Sequence, residues 1–295
     1  MSDPALGTSG NGQTAVAGVV PAVERAAAVL AHLRDTANPA DRTVTRVARE
    51  LGVHKSSCSN ILRTLEVAGL VEYESNSKSY ILGPELIGLG AAATRQRDFL
   101  QIGTRHLELL VRSTGFTCCM FSQLPNRDFL IVAKVDSAKE IKVTVDVGQH
   151  FPPAAPVMAR IAMAWMPIPE MEAYLARSGL ARYTASTKVD YAEVLAELSR
   201  IRERGFAVSR GEYYPGNTAI SSPVFSPQDG VCRGVCLLGF TSEIGERDIS
   251  VFGNRVRDTA NAITMAIGGR TPRLDANGVV PHAVEHPLDG RDAQR

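Results

Sequence analysis

Ser56, Ser57, Ser59, Asn60 and Arg63 stand close together in the chain, with Lys55 just ahead of them. Short hydroxyls, an amide and a long guanidinium suit one kind of chemistry. Hydroxyls and amides reach base edges in a major groove, while Arg or Lys reaches guanine or phosphate. Such a set works only if a helix presents it. Cys58, Ile61, Leu62 and Leu65 fall at helical spacing and form an apolar stripe, which leaves the polar residues on the outside. Just upstream, Val44, Val47, Ala48 and Leu51 repeat the same template, and Gly52 between the two supplies the left-handed backbone that folds one helix onto the other. Downstream, Gly69 closes the second helix. Leu70 to Tyr73 and Tyr80 to Leu82 read as two short strands around the polar turn Glu74-Ser75-Asn76-Ser77-Lys78. Helix, turn, helix and hairpin predict a winged helix-turn-helix, with Lys55 and the wing's Lys78 placed to contact phosphates.

Composition sets the limits on that reading. The chain has 295 residues, 32 Lys+Arg and 31 Asp+Glu, for a net charge of +1. That balance excludes coating of nucleic acid by charge alone, so any DNA contact is local. Five cysteines (58, 118, 119, 232 and 236) are an odd number at no zinc-finger spacing. The first twenty residues show no signal peptide and no apolar run is long enough to span a membrane, so a reducing cytoplasm is expected. No Ser/His/Asp set, Gly-rich phosphate loop or metal cluster is visible, and neither a cofactor nor catalysis is expected. The rival reading, an enzyme or small-molecule binder with the hairpin as a mere interaction module, requires paired titratable groups in a pocket.

In chain order, residues 1–20 read as a disordered arm. A first helix from Pro21 carries Val23, Ala26, Ala27, Leu30 and Leu33 on one face and completes a DNA-binding domain over 21–83. A linker helix over 84–97 bears the stripe Leu86, Leu89 and Ala93, a candidate seam between two copies. One recognition helix covers few base pairs, so a homodimer on a pseudo-palindromic operator is expected. Residues 98–268 read as strands, then helices, then strands, which predicts an α+β domain with an antiparallel sheet. The predicted strands include Ile141 to Val147, where Ile141, Val143 and Val145 alternate. Residues 269–295 read as a disordered tail.

Several short stretches, in their order and spacing, resemble the IclR family of bacterial transcription regulators. They are Gly52-Val53-His54-Lys55-Ser56-Ser57, Leu65-Glu66-Val67-Ala68-Gly69-Leu70-Val71-Glu72, Tyr80-Ile81-Leu82-Gly83-Pro84, Val147-Gly148-Gln149-His150-Phe151-Pro152, Arg202-Glu203-Arg204-Gly205-Phe206, Pro215-Gly216-Asn217-Thr218 and Ser222-Pro223-Val224-Phe225. The resemblance implies a winged helix-turn-helix joined by a helix to a GAF-like effector domain, working as dimers or tetramers. It also implies an effector site at Val157, Met158, Ser209, Ala219, Cys236 and Leu238. Where small-oxoacid sensors of the family carry an acid, a cysteine and two serines, this chain has Ser209, Ala219, Cys236 and Leu238. A buried carboxylate needs donors to replace its lost water, so the expected effector is larger and more apolar, an apolar or aromatic molecule with Ser209 and Cys236 as its few polar anchors.

Overall fold

The computed structural model describes residues 20–95, 98–226 and 230–272, so nearly all of the expected arm and tail lies outside the described residues. The chain divides into two units, residues 1–96 and 97–295.

In the first unit, α1 (Pro21–Asp35), a short 3-10 turn (Pro39–Arg42), α2 (Val44–Glu50) and α3 (Lys55–Val67) precede the hairpin β1 (Val71–Glu74) and β2 (Ser79–Leu82), and α4 (Glu85–Arg95) follows. One core holds them together: Val29 and Leu33 of α1, Val47 and Ala48 of α2, Cys58, Leu62 and Leu65 of α3, and Val71 and Tyr80 of the hairpin. The α2 and α3 stripes are the expected ones. On α1 the buried face is rotated. Ala26, Val29, Leu30 and Leu33 pack inward, whereas Val23 is 66% exposed and Ala27 is exposed too, one turn short of the core. Gly52 adopts φ +62 between α2 and α3, the left-handed turn that the sequence predicts.

In the second unit, α5 (Asp98–Thr114) leads into β3 (Thr117–Gln123), β4 (Phe129–Val135) and β5 (His150–Phe151). Then come α6 (Pro156–Ala164), α7 (Ile168–Ser178) and α8 (Tyr191–Arg204), followed by β6 (Ala207–Arg210), β7 (Asn217–Ser226), β8 (Gly230–Phe240) and α9 (Glu246–Ala266). The strands form one antiparallel sheet in the order β5-β4-β3-β8-β7-β6. Alternation along each strand feeds two cores, one per face. Cys118, Met120, Ile220, Val235 and Leu237 pack with α5 and α9. Cys119, Phe121, Phe225 and Cys236 pack with α6, α7 and α8. The adjacent Cys118 and Cys119 therefore point to opposite faces, as strand geometry requires.

Residues 141–147 are not a strand. Chain pairing on the free edge of β4 resumes only where Gly148 N–H donates to Ile131 O and Ile131 N–H to Gln149 O, with Phe129 and Leu130 then facing Phe151 and His150. The alternation of apolar residues instead turns Val143 and Val145 toward a cavity, while Ile141 and Val147 are 76% and 58% exposed. A period of two marks one covered side, and here the cover is not a neighbouring strand.

Candidate DNA interface and effector cavity

The start of α3 is fixed by a residue to which sequence reasoning assigned no capping role. His54 is its N-cap: the Ser56 N–H donates to His54 Nδ1 at 3.4 Å, and Ser56 Oγ lies 2.7 Å from the same nitrogen. With Cys58, Leu62 and Leu65 buried, Lys55, Ser56, Asn60 and Arg63 are exposed and Ser57 and Ser59 half-buried. Ser56, Asn60 and Arg63 follow one another at i, i+4 and i+7, so they share a face. Thr64 Oγ1 donates to Asn60 O at 2.8 Å, which turns that hydroxyl back into the helix and leaves the Asn60 amide as the outward group. The wing is pinned by the register Glu74↔Ser79 and by Tyr73 against Tyr80, ring centroids 5.1 Å apart. At its tip Lys78 is exposed and held at φ 50.

All six residues expected at the effector site line one cavity of about 290 Å³ in the second unit. The sheet supplies its floor. Register places Ser209 beside Ala219 and Ala219 beside Leu238, and one step along the strands it places Cys236 beside Cys119. The first turn of α6 brings Val157 and Met158 from the opposite side. Sequence reasoning missed the rest of the wall, which includes Cys119, Val143, Phe151, Tyr213 and Tyr214. The signal for the tyrosines was present in Glu212-Tyr213-Tyr214-Pro215-Gly216, where a turn follows two large rings. The Tyr213 ring packs tilted against Tyr183 at 4.6 Å and Phe151 at 5.4 Å, and edge-on to Tyr214 at 4.7 Å. Burial, with the neighbouring Tyr214 and Tyr183 phenols adding to it, pushes the Tyr213 hydroxyl up to about 12.

The polarity of the cavity is uniform. Its walls hold hydroxyls, two thiols and the amides of Gln149 and Asn217, and among the described residues no Asp, Glu, Lys, Arg or His lines it. The charge lies behind the wall. Arg160 of α6 forms a bidentate pair with Glu212 at 2.8 and 2.5 Å, both side chains nearly fully buried. Glu212 also accepts the Lys188 N–H at 3.2 Å, and its carbonyl accepts Thr187 Oγ1 at 2.7 Å. Thr184 Oγ1 donates to Gly211 O at 2.7 Å. The ion pair fastens the tyrosine-bearing turn to α6 and the other bonds tie it to residues 184–188, so one ionic clasp joins two walls of the cavity. Among the described residues no cluster of His, Cys, Asp or Glu could hold a metal ion, and no helix is long and apolar enough to cross a membrane.

Two family models match the chain: the IclR helix-turn-helix domain over residues 22–75 and the bacterial transcriptional regulator IclR C-terminal domain over residues 91–265. Among solved structures, an IclR transcriptional regulator from Alicyclobacillus acidocaldarius is 32% identical, with a TM-score of 0.77 over 85% of this chain and 100% of that one. Among curated proteins, the HTH-type transcriptional regulator XynR of Escherichia coli is 23% identical over 85% of this chain and 98% of its own length. The HTH-type transcriptional repressor AllR of Salmonella typhi is 25% identical over 85% and 91%.

Proposed function

The chain belongs to the IclR family of DNA-binding bacterial transcriptional regulators, a family that is not enzymatic, and from that premise we propose which residues read DNA and what the cavity takes. The α3 face of Lys55, Ser56, Ser57, Ser59, Asn60 and Arg63 enters the major groove, with Asn60 and Arg63 as base readers. Lys55 and Lys78 hold phosphates. Supporting this is the face itself, with Lys55, Ser56, Asn60 and Arg63 exposed opposite the buried Cys58, Leu62 and Leu65. Two copies bind a pseudo-palindromic operator. Supporting that is α4, none of whose residues is buried, with Ile87 77% and Leu89 51% exposed beside Leu86. Light scattering that gave a monomer with operator binding intact overturns the dimer.

The effector is a mainly apolar molecule with an aromatic ring, bound among Val157, Met158, Ser209, Ala219, Cys236 and Leu238. The observation that carries this is a cavity wall without one ionisable carboxylate or cation. A small, densely charged acid loses its water there and gains too few partners. One acceptor oxygen is accommodated: α6 has no side-chain cap, so the Val157 and Met158 N–H groups, which have no intrahelical partner in its first turn, are available as donors at a positive helix end. An aromatic acid fits both ends of this description.

Regulation requires the effector to bind DNA-competent and DNA-incompetent states with different affinity. A coupling of ~1–3 kcal/mol changes operator affinity about 5–150-fold. A thermal-shift screen of aromatic and short aliphatic acids, followed by duplex binding with each hit, tests it. Aromatic acids should raise the melting temperature, and Leu238→Ser with Ala219→Asp should remove that response while ligand-free DNA binding persists. If only short oxoacids shift the melting, the apolar reading fails.

A further inference from the structure

We propose that Cys119 and Cys236 are a dithiol in the cavity wall, which a small neutral acceptor of the quinone class, entering the cavity, closes to a disulfide. The two residues face each other across β3 and β8. Residues directly opposed on antiparallel strands have Cα atoms about 4.5–5.5 Å apart. A disulfide spans about 4.4–6.8 Å between Cα atoms, so closure needs side-chain rotation and no movement of the backbone. Both thiols are free and fully buried, and both line the cavity, which is their route to any small molecule. Cys118 cannot take part from its place on the other face of the sheet, where it lies opposite Leu237. Cys58 belongs to the other unit.

The chemistry of the pair selects the oxidant. Its hydrogen bond to Cys119, and then burial, hold the Cys236 thiol well above the usual range. Cys236 is therefore held as the thiol, a poor target for peroxide, whose attack needs a thiolate. The cavity narrows the choice further: among the described residues no charged side chain lines it, so a neutral acceptor suits it. In the reaction one Sγ–Sγ bond forms and two S–H bonds break. Two electrons and two protons pass to the quinone, which leaves as the hydroquinone. Phe151, Tyr213 and Tyr214 line the cavity with aromatic rings inclined to one another, against which such a ring would pack. The inference needs access to the cavity and does not rest on the aromatic-effector reading, which is tested on the reduced protein.

The test treats the reduced full-length chain with duroquinone, whose methyl groups block addition of thiols to the ring. The expected result is loss of two titratable thiols and two hydrogens per chain, with a Cys119–Cys236 peptide on mapping, reversed by dithiothreitol. Cys236→Ser should abolish the loss, and Cys119→Ala provides the same control should the serine variant fail to fold. Ala219→Phe, which fills the cavity, should slow oxidation. The proposal is overturned by a bridge to Cys118 or Cys232, by bridges only between chains, by no loss of thiols, or by oxidation of Ala219→Phe as fast as the parent.

Discussion

The two units present their functional residues in opposite ways. On α3 the chemistry is what the fold leaves outside: a buried stripe of Cys58, Leu62 and Leu65, and a polar face turned to solvent. In the second unit the chemistry is inside, a neutral cavity behind whose wall Arg160 and Glu212 are paired with each other. The difference is one of partners. A DNA groove supplies its own charge and water, so its reader needs exposed hydroxyls, amides and cations. An apolar effector brings neither, so its site must be dry and closed by the protein's own bonds.

Breaking the ionic clasp is the sharpest way to separate the two. Removing one partner of a buried pair strands the other, at about 3–5 kcal/mol. Glu212→Ala or Arg160→Ala should therefore destabilise the second unit by about that much, whereas Arg160→Met combined with Glu212→Leu should cost far less. The chain has one tryptophan, Trp165, and it is buried in the second unit, so its fluorescence reports that unit's denaturation alone. Equal losses in the single and double variants would show that the pair does not act as a unit.

On the exposed side the expected effects are smaller and fall on recognition. Asn60→Ala and Arg63→Ala should each cost about 1–3 kcal/mol of operator affinity and relax specificity at one position, with the Trp165 denaturation curve unmoved. Unchanged discrimination between operator and random duplex in both variants would remove α3 as the reader.

This contrast also explains what could be read from the sequence. An exposed face opposite a stripe is visible in local spacing, so α2, α3 and the wing follow from periodicity within a few residues. The cavity residues come together only through register, such as Ser209 to Ala219 to Leu238, which no local pattern contains. The family resemblance supplied those six positions. It did not supply Cys119, which reads as an ordinary core strand residue, nor Tyr213, which depends on a clasp between residues 52 positions apart. Alternation misled at Ile141 to Val147 because a segment covered on one side by a cavity has the period of a strand. His54 was missed because its capping role depends on a ring nitrogen, and Ser, Thr, Asp and Asn are the usual caps.

Titration offers a milder test of the second unit's closed character. Burial pushes Tyr174 up to about 12 despite the opposing charge of Arg127, and Tyr213 also to about 12. A tyrosine raised in the folded state contributes stability that is full below its unfolded value of about 10. That stability is lost as pH rises through the folded values. Denaturation followed at Trp165 should show stability falling between those limits, with a shallower fall in Tyr174→Phe and Tyr213→Phe. A slope identical to the parent in both variants would show that these hydroxyls are not shielded.

The smallest effect expected is at the wing tip, where stability and binding should part in sign. Lys78 sits at φ 50, a left-handed conformation that costs a side-chain-bearing residue roughly 1–2 kcal/mol. Glycine relieves that strain but gives back roughly 0.5–1 kcal/mol through its freer unfolded chain. Lys78→Gly should thus leave the first unit as stable as the parent or slightly more so, by at most about 1.5 kcal/mol. Lys78→Ala keeps the strain and should show no gain. Toward DNA the two variants should behave alike. Each loses one phosphate contact, so operator and random sequence weaken together and the slope of log affinity against log salt falls by about 0.9. Measured at two salt concentrations, a loss confined to the operator would make Lys78 a base reader, and no loss at all would take the wing off the DNA.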